Sequence, residues 1–411
     1  MRYHTAIMAV EAVELRIEKL VAGGDGLAFH DGRVVFVPLA LPGELVSATM
    51  GEVRKDYAKA NLVDVLSPSA HRVAPPCAIY GECGGCDLQH LSYPRQVAEK
   101  AAMVAESFKR IAKTDPGEIA AVPSLPFAYR NRLQFHLMPE GGLGFMRRAS
   151  TAVVEARTCP IAVRSVQSWM ESLPVGANGS AGALGSAGAL GAAGISHAEN
   201  LGELRSSVVG KDRFIAFGTE SRIYLEGRDG AITVVAAGEE FRFHIKGFFQ
   251  SNLHILDHFI PDVMDGLGGG TVADLYCGVG LFSRFLGRRY DKVVAVEQNP
   301  YALDFARTNA PGDRNEYHAL PVEDWTRTSS AAQHFDCVLM DPPRTGLSGE
   351  VRAWIARARP PLLVYVSCDP VTLARDAGAL VASGYRLDLL KVFDFYPQTH
   401  HVECHARFRL D

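Results

Sequence analysis

The chain has no basic excess: 42 lysines and arginines stand against 46 aspartates and glutamates, a formal net charge of −4. Overall charge therefore announces no polyanionic partner, although a local basic face would serve one equally well. Long apolar runs are missing too. The one extended charge-free stretch, Leu173 to Ser196, is built of Gly, Ala and Ser in place of Leu, Ile and Val. That is the composition of a flexible linker or surface loop and not of a membrane span. The first residues carry Arg2, Glu11, Glu14, Arg16, Glu18 and Lys19 where a secretory leader would be apolar, so a cytoplasmic chain with no membrane partner is expected. Only eight cysteines occur, and in the cytoplasm disulfides between them are disfavoured. Nothing calls for an obligate protein partner.

What is present is a soluble globular balance, 47% hydrophobic and 21% charged, over a length that suggests two or three domains. From Val10 to Leu66 short alternating runs broken by glycine read as a small barrel, with Asp31-Gly32 as a hairpin turn. Prolines 68, 75 and 76 close this unit, taken as residues 1–68. Residues 69–246 form a strand-rich central domain. Within it, 93–112 has helical spacing and can pack on the catalytic domain, and 174–196 is the Gly/Ala linker. The segment from Tyr129 to Arg164 is locally basic, with Arg130, Arg132, Arg147, Arg148, Arg157 and Arg164 against Glu140 and Glu155. From 247 to 411 the pattern repeats strand then helix, which predicts an α/β, doubly wound parallel sheet. Two last runs predict a closing hairpin on its edge.

Asp274-Leu275-Tyr276-Cys277-Gly278-Val279-Gly280 follows a predicted strand and opens a helix. Glycines there let backbone approach a ligand at a helix N-terminus, and the pattern has neither the G-x-G-x-x-G of dinucleotide binders nor a Walker lysine. Glu297 ends the next strand, where a carboxylate accepts ribose hydroxyls. Either acid alone reads more simply as a helix cap. Together, on successive strand ends, they favour an adenosyl ligand, and S-adenosylmethionine over NAD.

Two further strand ends finish in Asp341-Pro342-Pro343-Arg344 and Ser367-Cys368-Asp369-Pro370. Ligands in such sheets bind off the carboxyl ends of strands. Enzymes that methylate exocyclic amines place an aromatic after D-P-P, and here Arg344 stands there. Most free cysteines are small buried hydrophobes, a reading that suits Cys337 and Cys404 within strands and Cys277 in the loop. Cys368 sits at an exposed strand end. A thiolate there can add to carbon 6 of uracil and make carbon 5 nucleophilic, and a base must then remove the carbon 5 proton. Glu403, in His401-Val402-Glu403, is the candidate base. Cytosine is the nearest rival target, but its enzymes place a P-C pair where D-P-P stands here.

Cys77-x5-Cys83-Gly84-Gly85-Cys86, with the distant Cys159-Pro160, suggests a metal site of four thiolates. Spacing leaves both zinc and an iron–sulfur cluster open.

Assembled, these residues resemble the RNA uracil-5-methyltransferase family over nearly the whole chain, and most of all its branch acting on 23S ribosomal RNA. The motifs that carry the resemblance are C-x5-C-G-G-C-x2-Q-H (Cys77 to His90), F-x-Q-x-N (Phe248 to Asn252), D-L-x-C-G-x-G, D-P-P-R, S-C-D-P and H-V-E. The resemblance implies an N-terminal TRAM (OB-like) barrel that grips RNA and a Rossmann-like catalytic domain that uses S-adenosylmethionine. It implies a [4Fe-4S] cluster on Cys77, Cys83, Cys86 and Cys159, serving to staple the central domain and shape an RNA surface. Gln250, Tyr276, Glu297 and Asp341 would line the cofactor site together with Asp274, Gly278 and Gly280. Cys368 would be nucleophile, Glu403 base, and Phe248 a stacking contact. The chain departs from the family pattern at Leu281, where Asn is frequent. The rival readings are the same reaction on transfer RNA and a non-catalytic RNA-binding or assembly protein.

Overall fold

The computed structural model describes residues 12–138, 142–173 and 213–411. The Gly/Ala linker expected at 174–196 lies outside them.

The first unit is a six-stranded sheet of β1 (Ala12–Arg16), β2 (Lys19–Leu20), β3 (Gly26–His30), β4 (Arg33–Val37), β5 (Leu45–Val53) and β6 (Tyr57–Ser67), in the order β1-β5-β6-β4-β3-β2. Asp31 and Gly32 join β3 to β4 with φ of +48° and +75°, the pair of left-handed residues a two-residue hairpin needs. The sheet wraps until β1 also touches β3. Its inside is filled by alternate residues such as Leu15, Ala28, Val35, Val46 and Ala58. At Gly26 a Cβ would meet Ile17 Cγ2 at 2.8 Å and the Ala40 carbonyl at 2.9 Å, so only glycine lets the wall close there.

After the cysteine loop come α1 (Tyr93–Ser107), continued by a π-helical turn at Phe108–Ala112, and β7 (Ala120–Val122). The middle sheet follows: β8 (Arg132–Leu137), β9 (Leu143–Met146), β10 (Val153–Glu155), α2 (Arg164–Ser172), β11 (Arg213–Gly218) and β12 (Ile223–Leu225), with strand order β10-β9-β8-β11-β12. Its core is aromatic, Phe135 stacking on Phe214 and meeting Trp169 edge-on. A hairpin of β13 (Ala231–Ala236) and β14 (Glu239–His244) turns its apolar face to the catalytic core.

The remainder is α3 (Leu256–Met264), β15 (Gly269–Leu275), α4 (Leu281–Leu286), β16 (Tyr290–Glu297), α5 (Pro300–Asn309), β17 (Glu316–Ala319), α6 (Val322–Trp325), β18 (Cys337–Met340), α7 (Gly349–Ala358), β19 (Leu362–Ser367), α8 (Pro370–Ala382), β20 (Tyr385–Phe393) and β21 (Glu403–Leu410). The sheet order is β17-β16-β15-β18-β19-β21-β20-β7. β15 to β19 are mutually parallel, as the strand–helix rhythm predicts, and strand order reverses between β15 and β18. One point differs from expectation. The closing hairpin is not the edge, because β7 pairs in parallel outside β20. The π-helical turn and α1 pack on α8, with Val104 and Phe108 joining the catalytic core, so residues 93–122 serve this sheet although the middle sheet follows them in sequence. No described helix is long and apolar enough to cross a membrane.

Candidate active site

Leaving β15, Tyr276 adopts a φ of +62°, uncommon for a residue with a side chain and a mark of strain at a ligand turn. The Gly278 amide then donates to Glu297 Oε2 at 3.1 Å, and the Asn299 amide to Glu297 Oε1 at 2.8 Å. Two backbone donors thus fix this carboxylate at the end of β16, with lone pairs left for a vicinal diol. Beside the loop, Phe249 is buried and stacked on Phe243 at 4.6 Å between ring centres, whereas Phe248 is 67% exposed with a free face.

The strand ends open into one cleft of about 1320 Å³. It takes in Gln250, Tyr276, Gly278, Glu297 and Asp341, together with Phe248, Cys368 and Glu403. Asp274 and Gly280 do not line it. Asp274 is buried under the loop and accepts from Ser283 Oγ at 2.5 Å, burial pushing its carboxyl up to about 7. Gly280 caps α4, and a Cβ there would meet Ala306 Cα at 3.0 Å. Both build the loop from behind, Asp274 by tying it to α4 and Gly280 by letting α4 and α5 approach. Leu281 lines the cleft.

Sheet register brings the two candidate catalytic residues together. β21 runs antiparallel to β19 with Ser367 opposite Cys404, so Cys368 follows one strand where Glu403 begins the other. Burial pushes the Cys368 thiol up to about 12, the Glu403 and Asp341 charges add to this, and Arg344 opposes it by charge and hydrogen bond. Glu403 is raised by its own burial and then by Asp341, again against Arg344. Asp341 is raised by burial and by Asp274.

Arg344, which the sequence marks as the residue in place of an aromatic and as the end of D-P-P-R but gives no role, is a cation directly after a strand end and faces the same crevice as S-C-D-P. Its carbonyl accepts from Thr372 Oγ1 at 3.1 Å. The loop beyond it hangs on the buried Asp376, which accepts from the Leu347 amide at 2.8 Å and Tyr365 Oη at 2.9 Å. Tyr396, with the Arg130 guanidinium 6.0 Å above its ring, also lines the cleft and was not anticipated.

The cysteine loop reaches this cleft through Gly84 and Gly85. Its Gly84 amide donates to the Met146 carbonyl at 2.9 Å, and Cys159 stands at the turn before α2. Cys83 feels the charge of Cys77, and Cys86 that of Cys159 and Cys83, but among the described residues no three metal-ligating side chains are grouped so as to hold an ion. Burial raises Cys86 to about 12 and Cys159 to about 11.

Three family models match: the TRAM domain over residues 8–63, the methyltransferase small domain over 254–357, and tRNA (Uracil-5-)-methyltransferase over 326–408. The chain is 33% identical over 426 residues to the 23S rRNA (uracil(1939)-C(5))-methyltransferase RlmD of Shewanella sediminis, covering 97% of this chain and 96% of that one. This chain belongs to the RNA uracil-C5 methyltransferase family. The RlmD of Pseudomonas entomophila, another member, is 34% identical over 437 residues, covering 98% and 95% of the two chains. The fold is shared with the Pyrococcus abyssi tRNA (uracil-54, C5)-methyltransferase, whose structure holds S-adenosyl-L-homocysteine, at a TM-score of 0.70 and 22% identity over 96% of this chain and 99% of that one.

Proposed function

We propose that this methyltransferase converts a uridine of 23S ribosomal RNA to 5-methyluridine. The observation that carries the reading is the β19–β21 register, which sets Cys368 beside Glu403 in the cleft that also takes in Glu297 and Asp341. Near full-length similarity to enzymes named for 23S rRNA supports ribosomal over transfer RNA. The work is cytoplasmic, where that RNA is.

S-adenosylmethionine supplies the methyl group. The cleft suits it: Gln250 Oε1 and Tyr276 Oη are buried polar atoms with no partner among the described residues, which a polar ligand would satisfy. Glu297 holds the ribose hydroxyls, while Gln250, Tyr276, Gly278 and Asp341 complete the wall and Phe248 stacks on a base. Asp274 and Gly280 act by shaping the loop.

Cys368 adds as thiolate to carbon 6 of the uracil. The C6–S bond forms as the C5=C6 π electrons move into the C4 carbonyl, and Arg344 and the cleft's polar groups sit where that charge develops. Carbon 5 then attacks the methyl carbon, forming C5–CH3 as the S–CH3 bond breaks and S-adenosylhomocysteine leaves. Glu403, as a carboxylate made more basic by its burial, takes the proton from carbon 5. The electrons re-form C5=C6 and expel the Cys368 thiolate.

Cys77, Cys83, Cys86 and Cys159 hold a [4Fe-4S] cluster in this reading. Four thiols are a suitable donor set, with the Gly85 amide donating to Cys83 Sγ at 3.3 Å as amides do to cluster sulfurs. The methyl transfer is redox-neutral, so the cluster's part is architectural.

Nucleoside mass spectrometry tests this. Cluster-loaded enzyme, S-adenosylmethionine and separate unmodified 23S and transfer RNAs should give 5-methyluridine in the 23S RNA. Product in transfer RNA alone would overturn the substrate, and 5-methylcytidine would overturn the chemistry. Glu403→Gln should accumulate a covalent RNA adduct and Cys368→Ala none.

A further inference from the structure

The segment between β20 and β21, residues 394–402, delivers Glu403 to the cleft. At its middle lies Gln398, 2% exposed, with a φ of +69° that residues bearing side chains rarely adopt. Something must hold it there, and its partners all come from distant segments. Its amide donates to Gln96 Oε1 at 2.9 Å, and its Oε1 accepts from Gln96 Nε2 at 2.9 Å. Its Nε2 donates to the Pro126 carbonyl at 3.1 Å. Its carbonyl accepts from the amides of Asp87 and Leu88 at 3.1 and 2.9 Å, the two residues that follow Cys86.

Its neighbours repeat the pattern. Tyr129 Oη donates to the Pro397 carbonyl at 2.8 Å, Lys100 Nζ to that of Tyr396 at 3.0 Å, and His400 pairs with Asp87. None of these partners belongs to β20 or β21. The segment is therefore moulded on the cysteine loop, on α1 and on the entry to the middle sheet.

We propose that Gln398 is a positioning residue for the general base: it bolts the 394–402 segment to Gln96 and to the cysteine loop, and so sets where Glu403 enters the cleft. The proposal deepens the assignment of Glu403 as base and rests on it. It gives the cysteine loop a direct mechanical bearing on catalysis. Cys368 leaves β19, whose position is set by pairing with β18 and β21 and not by this segment, so loosening Gln398 is expected to disturb proton removal more than thiolate addition.

The test uses the full-length, cluster-loaded enzyme. Gln398→Gly keeps the left-handed backbone without strain and removes only the side-chain bonds. Turnover should fall on the order of 10- to 100-fold, as when a reacting group shifts by about 1 Å, with KM for RNA falling alongside it and kcat/KM largely spared, as a slowed step after adduct formation requires. Denaturing gels should show a covalent protein–RNA adduct that the parent enzyme does not accumulate. Gln398→Asn tolerates the same backbone and keeps an amide, so it should recover part of the turnover. A merely structural role would lower adduct and product together. That result, or unchanged turnover, overturns the proposal. Absence of adduct from Glu403→Gln as well would overturn the base assignment beneath it.

Discussion

A nucleophilic cysteine is usually recognised by a depressed pKa, and Cys368 shows the reverse. Burial, with Glu403 and Asp341 adding to it, holds its thiol at about 12. At pH 8 the thiolate is then about one part in 10⁴, whereas an ordinary cysteine with a pKa of about 8.5 is about a quarter ionised. The ratio is roughly 2,000-fold. A more basic thiolate is also more nucleophilic, by about 0.4–0.5 log units per pKa unit, which returns about 40-fold. Iodoacetamide should therefore alkylate Cys368 in the free enzyme about 50-fold more slowly than a model peptide cysteine. The rate should climb about tenfold per pH unit from 8 to 11 without a plateau. Peptide mass spectrometry on the fragment containing Cys368 separates it from the other cysteines. Arg344→Met removes a cation that favours the thiolate and should slow labelling further. Labelling at the peptide's rate, with a plateau below pH 9, would mean the cysteine is already ionised and would refute the burial argument.

Two stability predictions follow from buried ion pairs. Lys100 and Asp394 meet at 2.6 Å with both side chains essentially unexposed, so Lys100→Met should cost about 3–5 kcal/mol by leaving Asp394 unpaired. Denaturant unfolding should show that Lys100→Met/Asp394→Asn recovers most of this loss. Glu44 is fully buried; burial alone would raise its carboxyl, but the Arg72 guanidinium and the Leu41 and Ser69 amides hold it below the usual value of 4.5. A depressed folded value stabilises the fold above the unfolded pKa and is lost as pH falls through the folded one. Glu44→Gln should therefore cost about 2–3 kcal/mol at pH 7, below the full figure for a buried pair because Arg72 is 24% exposed. The gap between variant and parent should narrow below about pH 4.5.

What could be read from sequence, and what could not, follows the range of the interaction. Asp31-Gly32 and the strand-end turns are local, and local chemistry is legible in a few residues. The parallel sheet is legible because a strand–helix–strand unit must cross over in one way. β7 is three residues long and pairs with a strand more than 250 residues later, so no period in its own sequence could announce it. Asp274 and Gly280 show a subtler limit. Acid and glycine at a strand-to-helix turn suit a ligand, but the same types also suit a buried Ser283 hydroxyl and a close helix approach, and only the neighbours decide.

The proposed catalytic pair is the instructive case, because its proximity needs no long-range guess beyond strand order. If the last strand inserts antiparallel next to β19, the residue leaving β19 and the residue entering β21 must share one end of the sheet. A cysteine ending one strand and a carboxylate opening the other are then neighbours whatever the loops between them do. What register cannot supply is the depth at which Glu403 enters. That depends on a connection with no regular structure of its own, held in a strained conformation by residues drawn from Asp87 to Tyr129. Geometry along the sheet comes from the strands, and geometry across the cleft comes from a segment moulded on another part of the chain. A substitution far from the uracil, in α1 or beside the cysteines, is therefore expected to act on the elimination half of the reaction and spare the addition half.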